Sequence, residues 1–206
     1  MTNYSHEPFR FSSAMYTLQE WFGYHLWNGL PVEKSLLLVG DNHSNGKSIL
    51  LHVLTAFIGE KNISHLSLQQ LTANGDHSAT SNLYGKIANI YGDLSAEEVN
   101  RLGSLKLLTG NDQLICTKNQ KPFYFKNYAK FTFSTNTFPV VPSSNATFRQ
   151  RWIVIRVSGS FNDPDLLEKL TTPEELSGIL NWALEGLKRL RENGWVFSDP
   201  NSGVTI

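Results

Sequence analysis

The sequence predicts an α/β fold in which a parallel β-sheet carries helices on both faces. Short apolar runs of strand length alternate along the chain with longer segments whose apolar residues recur at helical spacing. The loop between the first such strand and the next helix carries Gly46-Lys47-Ser48, which is typical of a phosphate-binding loop. With 206 residues, of which 40% are hydrophobic, the chain can bury a core, and this excludes a disordered protein.

The first helices and the strand between them follow from apolar spacing and from the residues that end them. Apolar residues at helical spacing predict a helix over 15–29, which Pro31 ends. The short apolar run Ser35–Val39 predicts a strand buried on both faces. Residues 47–58 carry apolar side chains on one helical face, and Gly59 is placed to end that helix.

The middle of the chain is predicted to hold three more strands and a hairpin. Apolar runs predict strands at 87–91, 129–134 and 152–157. Alternating segments at 114–117 and 122–125 flank a polar tip, which predicts an inserted β-hairpin. Helical segments are expected near residues 66–71 and over 96–108.

The last helix has the clearest boundaries in the sequence. Thr172-Pro173-Glu174-Glu175 forms a capping box with proline at the first helical position, and Asn193-Gly194 is placed to end the helix. The predicted buried stripe of this helix comprises Leu176, Ile179, Leu180, Ala183, Leu184, Leu187 and Leu190.

The formal net charge of zero conceals a strong asymmetry along the chain. Residues 1–100 carry five basic and nine acidic side chains, a net charge of −4. Residues 101–156 carry nine basic side chains and one acidic side chain, a net charge of +8, and residues 157–206 return to −4 with four basic and eight acidic. Such a block favours a segment that faces a polyanion, although a basic solvated face explains the charge equally well.

Several classes of protein are not supported by the sequence. No apolar run is long enough to span a membrane, and no signal peptide is present. The single cysteine, Cys116, cannot form an internal disulfide, so we expect a cytoplasmic, reducing environment.

The phosphate-binding loop is predicted over residues 40–49. Backbone N–H groups of Gly40, Asp41, Asn42, His43, Ser44, Asn45, Gly46, Lys47, Ser48 and Ile49 would surround the phosphates of ATP. Lys47 would reach the β- and γ-phosphates, and the Ser48 hydroxyl would bind Mg²⁺. The usual spacing places the first glycine at position 41, where this chain has Asp41, so the loop is one residue longer. An ordinary strand–helix loop is the alternative, which the strand and helix on either side disfavour.

Polar residues after the other strands are candidates for the rest of a nucleotide site. Asp93 follows the strand at 87–91 and would hold Mg²⁺, although it or Ser95 also suits a helix cap. Asn136 follows a later strand and would bind the γ-phosphate or the attacking water, unless it is a turn residue before Pro139. Arginines directly before the strand at 152–157, Arg149 and Arg151, could complete the site of a neighbouring subunit.

The order and spacing of these segments resemble a known helicase family. The set comprises Ser44-Asn45-Gly46-Lys47-Ser48, Asn89-Ile90-Tyr91-Gly92-Asp93-Leu94-Ser95, Lys106-x-Leu108-Thr109-Gly110-x-Asp112, Lys121-Pro122-Phe123, Phe133-Ser134-x-Asn136-x-x-Pro139 and Phe148-x-x-Arg151-Trp152. Over residues 15–195 it resembles the superfamily 3 helicase domain of phage, plasmid and archaeal-virus primase-helicases, and more distantly the poxvirus type.

The resemblance implies an AAA+-like P-loop ATPase, a three-layer sandwich that assembles as a ring, usually a hexamer, with ATP between subunits. Lys47 and Ser48 match the Walker A pair, Asp93 the Walker B acid and Asn136 the sensor asparagine. Arg151 looks like the arginine finger, with Arg149 in reserve. A hairpin carrying Lys118, Lys121 and Lys126 would grip single-stranded or forked DNA.

The chain departs from the family in three places and in its extent. Besides the longer loop, Gly92 stands where many relatives carry a second acid, and Gln150 splits the usual arginine pair. We expect a lead-in at 1–30, an ATPase core at 31–160 and a helical segment at 161–206. The primase or polymerase region that often precedes this motor is expected on a partner or elsewhere in a longer chain.

Two other functions remain open at the level of sequence. A DNA-binding or replication-loading module with weak or no ATPase activity is favoured by the missing second acid. A GTPase or small-molecule kinase is the other, but Gln120 stands where GTPases need an aspartate, and a kinase does not need the basic segment.

Overall fold

The computed structural model describes residues 13–40, 46–71, 78–95, 108–110, 113–118, 121–137, 150–157 and 163–198. Its helices are α1 (Ser13–His25), α2 (Lys47–Ile58), α3 (Leu68–Leu71), α4 (Leu166–Leu170) and α5 (Pro173–Glu192), with 3-10 helices at Glu60–Asn62 and Ala79–Leu83. Its strands are β1 (Ser35–Val39), β2 (Ile63–Ser64), β3 (Ala88–Tyr91), β4 (Gln113–Lys118), β5 (Lys121–Lys126), β6 (Lys130–Thr135) and β7 (Trp152–Arg156). None of these helices combines the length and the apolar content that crossing a membrane requires.

Five of the strands form one parallel sheet in the order β2-β3-β6-β1-β7. β1 lies between β6 and β7, and the strand β6 separates β1 from β3. The two remaining strands, β4 and β5, pair antiparallel as a separate hairpin. The structure therefore confirms the predicted α/β fold with a central parallel sheet and a hairpin.

The two faces of the sheet bury different sets of elements. Leu36 and Leu38 of β1 point into a core shared with α1, α2, α4 and α5. Leu37 and Val39 point to the opposite face, where α3 and the β4–β5 hairpin contribute the buried side chains. Burial of β1 on both faces accounts for its continuous apolar sequence.

Most predicted elements have close counterparts in the structure. β1 and α2 have the predicted bounds, and Gly59 ends α2 with a positive φ of 86°. α1 ends at His25 rather than at Gly29. The N–H groups of Leu26 and Trp27 donate to Gly23 and Tyr24, three residues earlier, as in a turn, and Gly29 adopts a φ of 130° that no helix accommodates. Of the helix predicted over 96–108, residues 96–107 lie outside the described part of the chain.

The predicted buried stripe of α5 is wrong for two leucines. Leu180 and Leu184 are 41% and 46% exposed, because α5 turns another side toward α1. That side is centred on Ala183, Gly186 and Leu190, which are buried. A Cβ atom on Gly186 would lie 2.3 Å from the backbone oxygen of Gln19, so the two helices cross at backbone contact.

A polar cluster fixes α1 against α5 beside this crossing. Glu20 is fully buried and accepts from Arg189 Nε at 2.7 Å, while its other oxygen accepts from the backbone N–H of Ser198. Arg189 also donates to the Gln19 side chain and to the backbone of Tyr16. The first and last described segments of the chain are therefore tied together by a buried charge with several partners.

Candidate functional site

The strands β1, β3 and β6 end at the same edge of the sheet, its carboxyl edge. The register places Val39 of β1 beside Thr135 of β6, and Tyr91 of β3 beside Phe133 of β6. The residues that follow these strands therefore lie at one edge. This is where ligands bind in open α/β sheets.

Lys47 begins α2 directly after the loop that leaves β1. Gly46 occupies the N-cap with a φ of 88°, a left-handed conformation that glycine adopts without strain. Because Gly46 has no side chain, it offers no acceptor to the first-turn N–H groups of α2. The side chain of Lys47 is buried, and its Nζ donates to the backbone oxygen of Gly40 at 2.7 Å. The N–H groups at the start of α2 and the Lys47 ammonium beside them can together bind an anion.

Asp93 and Asn136 stand side by side at the same edge. Asn136 Nδ2 donates to Asp93 Oδ1 at 3.0 Å, which joins the loops after β3 and β6. The backbone N–H of Leu94 donates to the oxygen of Ser134 and extends this junction. Asp93 has a φ of 59°, a conformation that costs energy for a non-glycine residue. A strained aspartate held by an amide partner is typical of functional sites.

A cavity of about 460 Å³ connects these residues. Lys47, Ser48, Asp93 and Asn136 line one end of it. The carboxylate, hydroxyl and amide oxygens of this set are hard oxygen donors that fit Mg²⁺. Lys47 supplies the positive charge that a nucleotide phosphate needs.

The cavity continues along α2 to a pair of residues that the sequence did not indicate. His65 Nε2 lies 2.8 Å from Glu60 Oε1, and His65 Nδ1 lies 2.9 Å from the oxygen of Ile90. α2 has 12 residues and is about 18 Å long, so this pair lies at the far end of the cavity from Lys47. No motif or spacing marks these residues, since only the packing of β2 beside β3 brings them to the cavity.

Position 92 has room for a side chain but carries none. A Cβ on Gly92 would lie 3.5 Å from Ser134 Oγ, an ordinary contact. The carboxylates among the described residues lining the cavity are Asp93 and Glu60. Many members of the family that the sequence resembles carry a second acid next to the aspartate, and Gly92 occupies that position in this chain.

Arg151 lies at the opposite edge of the sheet from Lys47. It precedes Trp152, which pairs with Ser35 at the start of β1. The five residues of β1 separate the two edges by roughly 16 Å. The Arg151 side chain is 11% exposed, forms an ion pair with Glu33 and donates to Thr109 Oγ1 at 3.2 Å. The structure therefore does not bring Arg151 to the cavity of its own chain.

The β4–β5 hairpin presents basic residues away from the sheet. Lys121 and Lys126 are exposed, and the backbone of Lys118 pairs with Lys121 next to the tip. Cys116 on the inner side is fully buried, and burial raises the pKa of its thiol to about 11. The thiol therefore stays protonated and serves as core packing.

The remaining predicted site residues fall outside the described part of the chain. These are Asp41, Asn42, His43, Ser44 and Asn45 of the loop, and Arg149.

This chain matches the model of one protein family and, in its fold, several solved structures. The model of a family of unknown function, DUF5906, matches residues 38–151. A structure of the NrS-1 C-terminal region in its A form without ligand matches 84% of this chain with a TM-score of 0.58 and 19% identity. A second structure of that region, covering its residues 305–718, matches 94% with a TM-score of 0.53 and 21% identity. The chain spans 41% of each of these structures, and a search of curated proteins gives no match.

Proposed function

The chain belongs to DUF5906, a family of unknown function, and from the geometry of its site we propose that it is the ATPase motor of a replicative DNA helicase. The observation that carries this proposal is the meeting of Lys47, Asp93 and Asn136 around one cavity at the carboxyl edge of the sheet. The motif order that resembles superfamily 3 helicases supports it. The fold shared with the NrS-1 C-terminal region is compatible with it.

Each residue of the site has a role in hydrolysis that follows from its position. Lys47 leaves the Gly40 oxygen and pairs with the β- and γ-phosphates of ATP, whose remaining charge faces the N-terminus of α2. Ser48 and Asp93 would hold Mg²⁺, which would supply positive charge to the phosphates. Asn136, already bonded to Asp93, orients a water molecule toward the γ-phosphorus.

The reaction is the displacement of ADP by water. The water oxygen forms a bond to the γ-phosphorus, the bond from that phosphorus to the β–γ bridging oxygen breaks, and a proton is released with inorganic phosphate. The arginine that would stabilise the transferring group comes from a neighbouring copy. Arg151 suits that role, since it lies at the edge opposite its own cavity. This position of Arg151 supports the proposal that the chain assembles as a ring, for which the resemblance implies a hexamer.

A second function is favoured by one observation. Because Gly92 supplies no second carboxylate beside Asp93, the described residues next to Asp93 offer no further carboxylate to accept the proton of the attacking water. A module that binds ATP in order to assemble on DNA, with little hydrolysis, fits this feature. In that case nucleotide binding and oligomer formation would persist without turnover.

A test of the proposal is ATP hydrolysis with and without single-stranded DNA in the wild type and in Lys47→Ala. Loss of the lysine removes the main contact to the transferring phosphate, so we expect hydrolysis to fall at least about 100-fold with the far-UV circular dichroism unchanged. Lys61→Ala is the matched control, because Lys61 is an exposed lysine beyond the other end of α2. Hydrolysis by Lys47→Ala at the wild-type rate would show that the loop assignment is wrong.

A further inference from the structure

We propose that the outward face of the β4–β5 hairpin is a stacking platform for the bases of a single strand of nucleic acid, with Tyr124 at its centre. This inference rests on the proposed function, because it concerns how the motor would hold its DNA strand. It names the bases as the part of the strand that is held and stacking as the interaction that holds them. It adds a stacking contact on the hairpin stem to the lysine contacts predicted from the sequence.

The hairpin has two unlike faces. Leu114, Cys116 and Phe125 are buried on its inner face, where they join the core beneath the sheet. On its outer face Tyr124 is 64% exposed and Ile115 is 45% exposed. These two residues lie directly opposite each other in the hairpin register, so they form one continuous apolar surface.

The inner face holds the outer face in a fixed orientation. Phe123 and Phe125 stack with ring centroids 5.9 Å apart, and Tyr84 meets both rings edge-on at 5.5 Å. Because side chains alternate along a strand, anchoring Phe123 and Phe125 directs Tyr124 away from the core. A rigid, outward aromatic ring binds a flat ligand with little loss of conformational freedom.

The charge around the ring favours a polyanion as the ligand. The hairpin residues 113–126 contain three basic and no acidic side chains. Lys126 lies two residues from Tyr124 on the same face and is exposed, and Lys121 is exposed at the start of β5. An apolar ring with a lysine beside it on the same face matches a nucleotide, which has a flat base and a phosphate. A neutral apolar protein surface would leave the charges of the lysines without partners.

Stacking also selects the form of the nucleic acid. A tyrosine ring can lie on the face of an unpaired base but cannot reach the faces of bases stacked inside a duplex. Every base has such a face, so the platform would hold the strand without reading its sequence. This property suits a motor that moves along single-stranded DNA.

The experiment measures binding of the intact chain to a fluorescent oligothymidine 20-mer by anisotropy, with and without a non-hydrolysable ATP analogue and Mg²⁺. A strand of the same length in which the bases are removed provides the phosphates alone. The variants are Tyr124→Ala, Tyr124→Phe and Leu184→Ala. Leu184 is the matched control, because it is a 46% exposed apolar residue on α5, which contributes nothing to the anchoring of the hairpin.

We expect Tyr124→Ala to weaken binding to oligothymidine about 5- to 150-fold, the range that stacking of one base supplies. Tyr124→Phe and Leu184→Ala should bind as the wild type does, and the baseless strand should bind wild type and Tyr124→Ala equally. The salt dependence of Tyr124→Ala should match that of the wild type, whereas Lys121→Ala and Lys126→Ala should each reduce the slope by about 0.7.

Three results would overturn the platform. They are equal loss of affinity for both strands in Tyr124→Ala, no effect of Tyr124→Ala on oligothymidine binding, and failure of the wild type to bind oligothymidine at all. A change in the mass of the assembly without a change in DNA binding would assign the face to a protein contact instead. Because Lys47-dependent ATP hydrolysis is measured separately, the platform can fail while the ATPase proposal holds, and the reverse.

Discussion

At the scale of single residues, hydrogen bonds to polar partners fix the positions of Lys47 and Asp93 at the cavity. The Lys47 ammonium donates to the Gly40 oxygen, so its burial does not leave the charge without a hydrogen bond. Asp93 is held by Asn136, and its left-handed backbone aims the carboxylate into the cavity. To bind a ligand at this cavity, Lys47 and Asp93 would exchange these hydrogen-bond partners for atoms of the ligand.

Two titratable residues away from the site are buried next to α1. Burial, reinforced by the charge of Lys130, lowers the pKa of His25 to about 3, and burial lowers the pKa of Lys130 to about 8. His25 Nδ1 lies 2.8 Å from the oxygen of Trp21, and the ring packs edge-on against Trp21. The folded protein therefore keeps His25 neutral at neutral pH.

We predict that His25 makes the protein sensitive to acid. Below a pH of about 6.5 the unfolded chain binds a proton at His25, whereas the folded chain does so only near pH 3. The free energy of unfolding should thus fall with decreasing pH in this window, by at most about 1.4 kcal/mol per pH unit from this residue. Urea unfolding of wild type and His25→Phe between pH 7 and pH 4 measures the difference. Parallel pH profiles for the two proteins would contradict the assignment.

At the scale of elements, the crossing of α1 and α5 depends on glycine for a steric reason. Cβ atoms built on Gly23 and on Gly186 come within 2.3 Å of backbone oxygens on the opposing helix. Backbone atoms cannot move aside as flexible side chains can. The two glycines therefore set the distance between the first and last helices.

We predict opposite effects for two glycine substitutions on the same helix. Gly186→Ala should destabilise the protein by about 1–3 kcal/mol or more, because the added methyl group forces α1 and α5 apart. Gly178→Ala is the matched control, because its Cβ would meet nothing within 4 Å, and it should stabilise α5 by up to about 1 kcal/mol. Thermal unfolding followed by circular dichroism compares them, and equal melting temperatures for the two variants would refute this account of the crossing.

Local patterns were sufficient for elements whose ends are marked by the chain itself. The apolar run of β1, the glycine after α2 and the capping box of α5 each specify a boundary, and Thr172 accepts from the Glu175 N–H in the structure. The outward turn of Leu180 on α5 was not predictable, because it depends on where glycines allow another helix to approach. Glu60 and His65 were missed for a related reason, since only tertiary packing brings them beside the cavity.

At the scale of the whole molecule, the parallel sheet separates Arg151 from the cavity that Lys47 and Asp93 line. Residues that follow the strands meet at one edge, and residues that precede them, such as Arg151, lie at the other. In the described structure Arg151 is held by Glu33 and Thr109. Under the proposed function, the γ-phosphate bound by a neighbouring copy would replace these two partners of Arg151.

We predict that Arg151→Ala subunits lower ATP hydrolysis by the wild-type subunits with which they assemble. If Arg151 completes the site of a neighbour, mixed assemblies lose ATP hydrolysis at wild-type sites as well as at variant sites. Activity should then fall more steeply than the fraction of wild-type chains in the mixture. Glu168→Ala, a change of an exposed charged residue in α4, provides the dilution control. A linear fall with Arg151→Ala would place the arginine in a role within its own subunit.

The most direct test of the central claim is DNA-stimulated ATP hydrolysis by the wild type, measured over a concentration series with the native mass determined at each point. If the chain is a ring-forming motor, the rate of ATP hydrolysis per chain should rise as the native mass increases to that of a ring. Single-stranded DNA should raise this rate further. Assembly on ATP and DNA without hydrolysis at any concentration would contradict the proposed motor and support the loading module. Hydrolysis at full rate by the monomer would contradict the shared site.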